Sequence, residues 1–197
     1  TENLIYELNH YGKILNGNRT YYLTRSQPPF LTSIGLAVYE HLPKDGEAHT
    51  WLARVFRAAI EEYYTVWMSQ PRLTDTGLSR FYGEGLGPSP EVEKGHFDVI
   101  YRPYAEARKL DVRTFEEKYK AGEFTIPTLD RFFVHDRCVR ESGHDTTYRW
   151  DWQGDRCADF VTVDLNSLLY KTEVDIAQTI ETIFGGTLKL EDGPEET

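Results

Sequence analysis

Residues Arg140 to Arg149 read Arg-Glu-Ser-Gly-His-Asp-Thr-Thr-Tyr-Arg, which sets one carboxylate, Asp145, just beyond a glycine that should end a helix. An acid on a short Ser-Gly turn, flanked by arginines and aromatic rings, has the setting for proton transfer to a sugar oxygen. The same string also fits a helix C-cap followed by a solvated polar loop. A second segment, Asn16-Gly17-Asn18-Arg19-Thr20-Tyr21-Tyr22-Leu23-Thr24-Arg25-Ser26-Gln27-Pro28-Pro29, crowds amides, a guanidinium and a hydroxyl ahead of an apolar helix. Asn and Gln amides and Arg forks are the groups that read several sugar hydroxyls at once, and Tyr rings offer flat faces to pyranose C–H groups. A plain structural account fits here too, since Asn-Gly-Asn makes a turn and Pro28-Pro29 can open a helix.

Together the two segments resemble the trehalase family, glycoside hydrolases that split trehalose into two glucoses, and more narrowly its fungal neutral members. The similarity runs through Lys13 to Val38, Thr65 to Glu91, Arg131 to Arg149 and Cys157 to Ala177. It includes the long strings Tyr-Tyr-Leu-Thr-Arg-Ser-Gln-Pro-Pro and Val-Asp-Leu-Asn-Ser-Leu-Leu-Tyr. The resemblance implies a role for each matching residue. Asp145 occupies the general-acid position of a Ser-Gly-x-Asp motif and would protonate the bridging oxygen. Asn16, Arg25, Ser26 and Gln27 would line the sugar pocket. Arg140 matches a binding Arg, Gly143 lets backbone approach the substrate, and Glu91 matches a binding Glu. Two positions depart from many relatives: Ser89 stands where bacterial members carry Arg, and His144 where many carry Trp and the fungal neutral group carries His.

The resemblance also implies an internal piece of a catalytic domain. An Arg-Glu-rich signature is expected upstream of Thr1, and a Gln-Trp-Asp signature with the general base is expected beyond Thr197. Inversion at the anomeric carbon needs two carboxyl groups roughly 6.5–9.5 Å apart with water between them, and this chain is expected to supply one. Catalysis would need Asp145 partly desolvated so that it stays protonated, while Arg25 and Arg140 pull its pKa the other way. A truncated sugar- or partner-binding version without hydrolysis, and a different helical-barrel glucosidase, are the alternative functions.

Composition bounds the rest. At 197 residues and 40% hydrophobic the chain is long enough for one domain with a core. With 22 basic and 32 acidic residues its net charge is −10, which repels phosphate backbones and anionic lipid, so no nucleic-acid or membrane partner is expected. A neutral disaccharide is indifferent to that field. No apolar run is long enough to span a bilayer, and Thr1 opens no signal-like sequence. Cys138 and Cys157 are too few for a disulfide scaffold and fit a reducing cytoplasm. No CxxC or HExxH spacing supports a metal site, and no cofactor is expected. A regulatory protein partner, a feature of the fungal family, would act through regions outside this chain.

The elements that must position these residues are helical. A stripe of Trp51, Leu52, Val55, Phe56, Ala59, Ile60, Tyr63, Val66 and Trp67 repeats every three or four positions and predicts a helix packed on two neighbours, with both tryptophans in the core. Phe30 to Tyr39 predicts a preceding helix from about Pro28 to Leu42, ended by Pro43 and turned back at Lys44-Asp45-Gly46 to make a helical hairpin. Residues Pro71 to Gly95 read as a long functional loop, broken by Gly83, Gly85, Gly87, Pro88 and Pro90. Polar helices follow over Asp98 to Lys109 and Asp111 to Lys120, with solvated charged faces and no assigned chemistry. A helix from about Thr128 to Glu141 delivers Arg140 to its end. Asp136, Arg137 and Arg140 on it form either a pocket-facing polar stripe or an exposed ion-pair ladder. One of Tyr148, Trp150 and Trp152 is expected to wall the sugar site. Asp164 is the expected N-cap of a last long helix, stopped by Gly185-Gly186. The predicted fold is therefore all-α, about half of an (α/α)6 barrel of helical hairpins with long functional loops. Residues 1–184 form the partial catalytic domain, marginal in stability alone, and 185–197 an acidic, frayed tail.

Overall fold

The computed structural model describes residues 1–144, 149–151 and 156–190. Seven α-helices follow one another among these residues: α1 (Glu2–Tyr11), α2 (Leu31–Glu40), α3 (Gly46–Glu62), α4 (Asp98–Ala107), α5 (Val112–Lys120), α6 (Pro127–Ser142) and α7 (Val163–Thr182). The only pairing of extended backbone in the described residues is two isolated antiparallel bridges, Leu15 with Ser26 and Leu73 with Ser79.

Helix α3 starts where Asp45 accepts a hydrogen bond from the Ala48 amide at 2.9 Å, satisfying one of the four donors a helix leaves open at its start. Its stripe of Leu52, Val55, Phe56 and Ala59 packs on Leu8 of α1, Leu31 of α2, and Ile176, Ile183 and Phe184 at the end of α7. Each such side chain contributes roughly 1.5–3 kcal/mol on burial, so this four-helix contact is one stabilising core. A second core joins Tyr101 and Ala105 of α4 and Phe115 and Tyr119 of α5 to Leu129 and Phe133 of α6. The third gathers Trp67, Phe81, Cys138, Val139, Trp150, Cys157, Leu165 and Leu169 around the far end of α6. The last two cores lie on opposite ends of α6, which fixes how its C-terminal turn is aimed.

Several expectations shift in detail. Helix α2 begins at Leu31 because Pro29 keeps Pro28 out of the helical region, as a proline does to the residue before it. Helix α1 lies where the residue pattern predicted no element. Helix α3 widens at its end into a π-helical turn, Tyr63–Trp67, of the kind that lets one residue bulge from the ladder. Of the two tryptophans placed in the core, Trp67 is wholly buried, whereas Trp51 is half-buried and donates through Nε1 to Glu2 at 3.0 Å. Asp164 does not cap α7. Thr162 holds the N-cap position, and Asp164 sits in the first turn, where the positive end of the helix favours a carboxylate. The 71–95 segment contains no helix, and α4 and α5 turn their apolar faces inward while charged pairs such as Arg113 with Glu117 stay at the surface.

Candidate functional site

The amide-and-guanidinium segment doubles back on itself. The Gln27 amide donates to the Ile14 carbonyl at 2.8 Å beside the Leu15–Ser26 bridge, so Asn16 faces Arg25 and Gln27 across the turn. Asn16 Nδ2 donates to Gln27 Oε1 at 2.9 Å, and Arg25 Nη2 donates to Asn16 Oδ1 at 3.0 Å. The other arm of the Arg25 fork, Nη1, donates to Glu91 Oε1 at 2.6 Å, and the Tyr22 ring lies 4.8 Å below its guanidinium carbon. Arg140 approaches the same Glu91 oxygen from α6, at 3.9 Å. Five of the sequence-derived residues, Asn16, Arg25, Gln27, Glu91 and Arg140, are thus one connected polar network drawn from three distant segments.

Arg140 itself is held by a two-pronged pairing with Asp136, at 2.9 and 3.3 Å, and meets His96 Nε2 at 3.2 Å. Both partners of the Asp136–Arg140 pair have side chains only 13% exposed, so the pair is not part of an exposed ladder. Arg137 points under the 84–88 loop. Gly143 ends α6 with φ 72°, the left-handed conformation that glycine adopts at no steric cost.

Ser26 is placed differently from its neighbours. It is wholly buried, its hydroxyl donates to the Ile14 carbonyl at 3.1 Å, and its amide donates to Glu141 Oε1 at 2.9 Å, so it supports the cluster from behind. Glu141 was not singled out from the sequence. This fully buried carboxylate also accepts from Tyr82 N at 2.6 Å and from Arg72 through Nε at 3.1 Å and Nη2 at 2.5 Å. It ties three segments to the last turn of α6. Burial works against the charge on Arg72, but Glu141 beside it outweighs that and holds its pKa above the ordinary arginine value.

Asp145, Tyr148 and Trp152 lie outside the described residues. The chain on either side of Asp145 is anchored at one carboxylate: Asp164 Oδ2 lies 2.9 Å from His144 Nε2 and 3.1 Å from Arg149 Nη1. Despite its burial, the Asp164 pKa is lowered, by the Thr162 hydroxyl, the Leu165 amide, His144 and Arg149. Trp150 is 4% exposed within the third core, with Arg149 over its ring, so among the described aromatics of that loop it anchors and does not wall a pocket. Cys138 and Cys157 are free and buried, and burial pushes the Cys138 thiol up to about 12, which leaves it inert as a nucleophile near neutral pH. Among the described residues no group of three or more His, Cys, Asp or Glu is arranged to hold a metal, and no helix is long and apolar enough to cross a membrane.

Helical hairpins in series, with a polar cluster gathered where their loops meet, define a sector of a helical barrel. The chain belongs to the trehalase family, whose description, Trehalase, matches residues 1–192. It is 50% identical over 192 residues to the cytosolic neutral trehalase of Neurospora crassa, covering 97% of this chain and 25% of that protein. To the cytosolic neutral trehalase of Saccharomyces cerevisiae it is 52% identical over 183 residues, covering 91% of this chain and 24% of that one. The solved structure of neutral trehalase Nth1 from Saccharomyces cerevisiae superposes with a TM-score of 0.85 at 51% identity, over 92% of this chain and 33% of the other. That neighbour is an (α/α)6 barrel, and the all-α architecture here is part of the same barrel. The chain spans about a quarter of the length of the curated relatives it matches.

Proposed function

We propose that residues 1–184 form part of the catalytic domain of a cytosolic α,α-trehalase that hydrolyses trehalose with inversion, supplying the general acid and much of one sugar subsite. The observation that carries this reading is the continuous network of Asn16, Gln27, Arg25, Glu91 and Arg140. Its amide and guanidinium groups offer donors and its carboxylate an acceptor, a mixture suited to vicinal hydroxyls that both donate and accept. Ser26 fixes the backbone on which Arg25 and Gln27 stand, and Gly143, which has open space where a Cβ would lie, leaves room for a substrate to approach the backbone.

In this reading Asp145 gives its proton to the bridging oxygen as the glycosidic bond breaks, and a base from outside these residues activates water on the opposite face of the sugar. Control by a regulatory protein through regions outside this chain belongs to the same proposal.

The test is Asp145→Asn in the full-length protein. Turnover of trehalose is expected to fall by a factor of about 100 or more, since one positioned acid supplies roughly 10²–10⁴-fold, while trehalose still binds. Turnover at the unsubstituted rate would remove Asp145 from the role. Comparing maltose and sucrose with trehalose separates this activity from another barrel glucosidase.

A further inference from the structure

Arg137 is 6% exposed and faces no carboxylate within salt-bridge distance among the described residues. Its five N–H groups instead meet five oxygen atoms of the loop and hairpin. Nε donates to the Gly87 carbonyl at 2.9 Å, Nη1 to the Glu84 carbonyl at 3.1 Å and to Thr24 Oγ1 at 3.2 Å, and Nη2 to the Leu86 and Pro88 carbonyls, both at 3.0 Å. A guanidinium has five donors in a rigid fork, and here the full set is matched. The loop lies hard against α6 at this point: a Cβ on Gly83 would stand 2.6 Å from the Arg137 carbonyl oxygen.

A buried cation with no carboxylate in salt-bridge distance is costly, and burial pushes the Arg137 pKa below its ordinary value, although the more distant Glu91 and Asp136 oppose it. What the arrangement yields is a loop with four carbonyls, those of Glu84, Leu86, Gly87 and Pro88, turned inward to one centre, so its curvature is set by that side chain. The loop's exit is Pro88, three residues before Glu91, and its entrance is joined to the hairpin by the Glu84 amide donating to the Thr24 carbonyl at 2.7 Å. Thr24 directly precedes Arg25. Arg137 therefore spans both arms that must meet for Arg25 to grip Glu91.

We propose that Arg137 is a positioning residue for the sugar subsite: by gathering the Glu84, Leu86, Gly87 and Pro88 carbonyls and the Thr24 hydroxyl it brings Glu91 onto Arg25 and so sets affinity for the disaccharide. This rests on the trehalase reading given above. The experiment uses the full-length enzyme with Arg137→Lys, which keeps the charge but offers three donors in place of five. KM for trehalose is expected to rise about tenfold with kcat within about threefold of the unsubstituted enzyme, the pattern of lost ground-state binding. A cycle with Glu91→Gln supplies the readout that a merely structural residue would not move: in the Glu91→Gln background, Arg137→Lys should add almost nothing to KM.

Should Arg137→Lys not fold, Thr24→Val removes one of the five acceptors and must raise KM in the same direction, by about twofold. An unchanged KM in the folded Arg137→Lys or Thr24→Val enzyme, or equal losses in the two backgrounds, overturns the proposal. Failure of the unsubstituted full-length protein to turn over trehalose is a separate result, and it would count against the activity and not against Arg137.

Discussion

Arg137 and Glu141 lie one turn apart on α6 and hold opposite ends of the peptide group: the guanidinium takes four loop carbonyls, and the carboxylate takes the Ser26 and Tyr82 amides. One helix thus fastens both the hairpin that carries Arg25 and the loop that carries Glu91. Irregular backbone is expensive to bury because each unpaired amide or carbonyl forfeits its hydrogen bonds to water. A charged side chain of each sign lets two loops be packed on a helix without that penalty.

Removing Glu141 should therefore be costly. With Glu141→Ala, Arg72 stays buried with only the more distant, more exposed Glu84, at 3.7 Å, to balance its charge, and the Ser26 and Tyr82 amides lose their acceptor. Breaking a buried pair from one side typically destabilises by about 3–5 kcal/mol. Denaturant unfolding of the full-length protein should show a lower midpoint with the loss concentrated in this region. A midpoint equal to that of the unsubstituted protein would contradict the account.

Arg25→Lys tests the fork. Arg25 reaches Glu91 through one nitrogen and Asn16 through the other, a geometry that a single ammonium cannot reproduce. We expect kcat/KM for trehalose to fall roughly tenfold or more, with thermal stability nearly unchanged because the tip of the side chain is the part altered. An unaltered kcat/KM would show that the pairing is incidental to binding.

Glu62 gives a pH dependence of definite sign. Burial pushes its pKa up to about 8, opposed by the Trp67 indole donating at 3.3 Å and by Arg72. In the folded state it holds a proton that the unfolded chain releases near the ordinary carboxylate value of 4.5. Its contribution to stability is complete below that value, declines as pH rises, and is gone above about 8, at about 1.4 kcal/mol per pH unit. Glu62→Gln stays neutral and removes this slope. The variant should gain on the unsubstituted protein between pH 5 and pH 8, by a few kcal/mol at the upper end. Parallel stability curves over that range would mean that the carboxyl is ionised in the fold.

Gly83→Ala probes the close approach. The added carbon meets the Arg137 carbonyl oxygen at 2.6 Å, and backbone cannot move aside as a side-chain tip can. Overpacking of this kind costs about 1–3 kcal/mol, and the loop should lift. A melting temperature and KM both unchanged would show that the loop tolerates displacement.

The helices and the site were legible in the sequence to different depths. The stripe in α3, the Lys44-Asp45-Gly46 reversal and the end of α6 at Gly143 follow from periodicity and turn chemistry, which act locally. The pairing of Asn16 with Arg25 and Gln27 could be suspected because these residues are close in sequence. Helix α1 carries Leu4, Ile5 and Leu8 at helical spacing, a signal present but short. Arg137 and Glu141 left no readable sign of their tasks, because their partners are mostly backbone atoms, which every residue has. Trp150 reads the same from sequence whether it walls a pocket or fills a core, and only the surrounding Cys138, Cys157 and Leu165 decide it. Asp164 shows that a residue suited to cap a helix can instead be used two positions later, where His144 and Arg149 claim it.

The bond from the Ser26 amide to Glu141 spans 115 residues. A ribosome adding about 5–20 residues per second needs on the order of ten seconds to cover that distance. During this interval the hairpin bearing Arg25 has emerged but has no acceptor to close on, so local helices come first, and the first core, which needs Ile176, Ile183 and Phe184, closes later still. Slow, late closure of this kind leaves the amino-terminal arm available to chaperones and proteases while the rest of the chain is made.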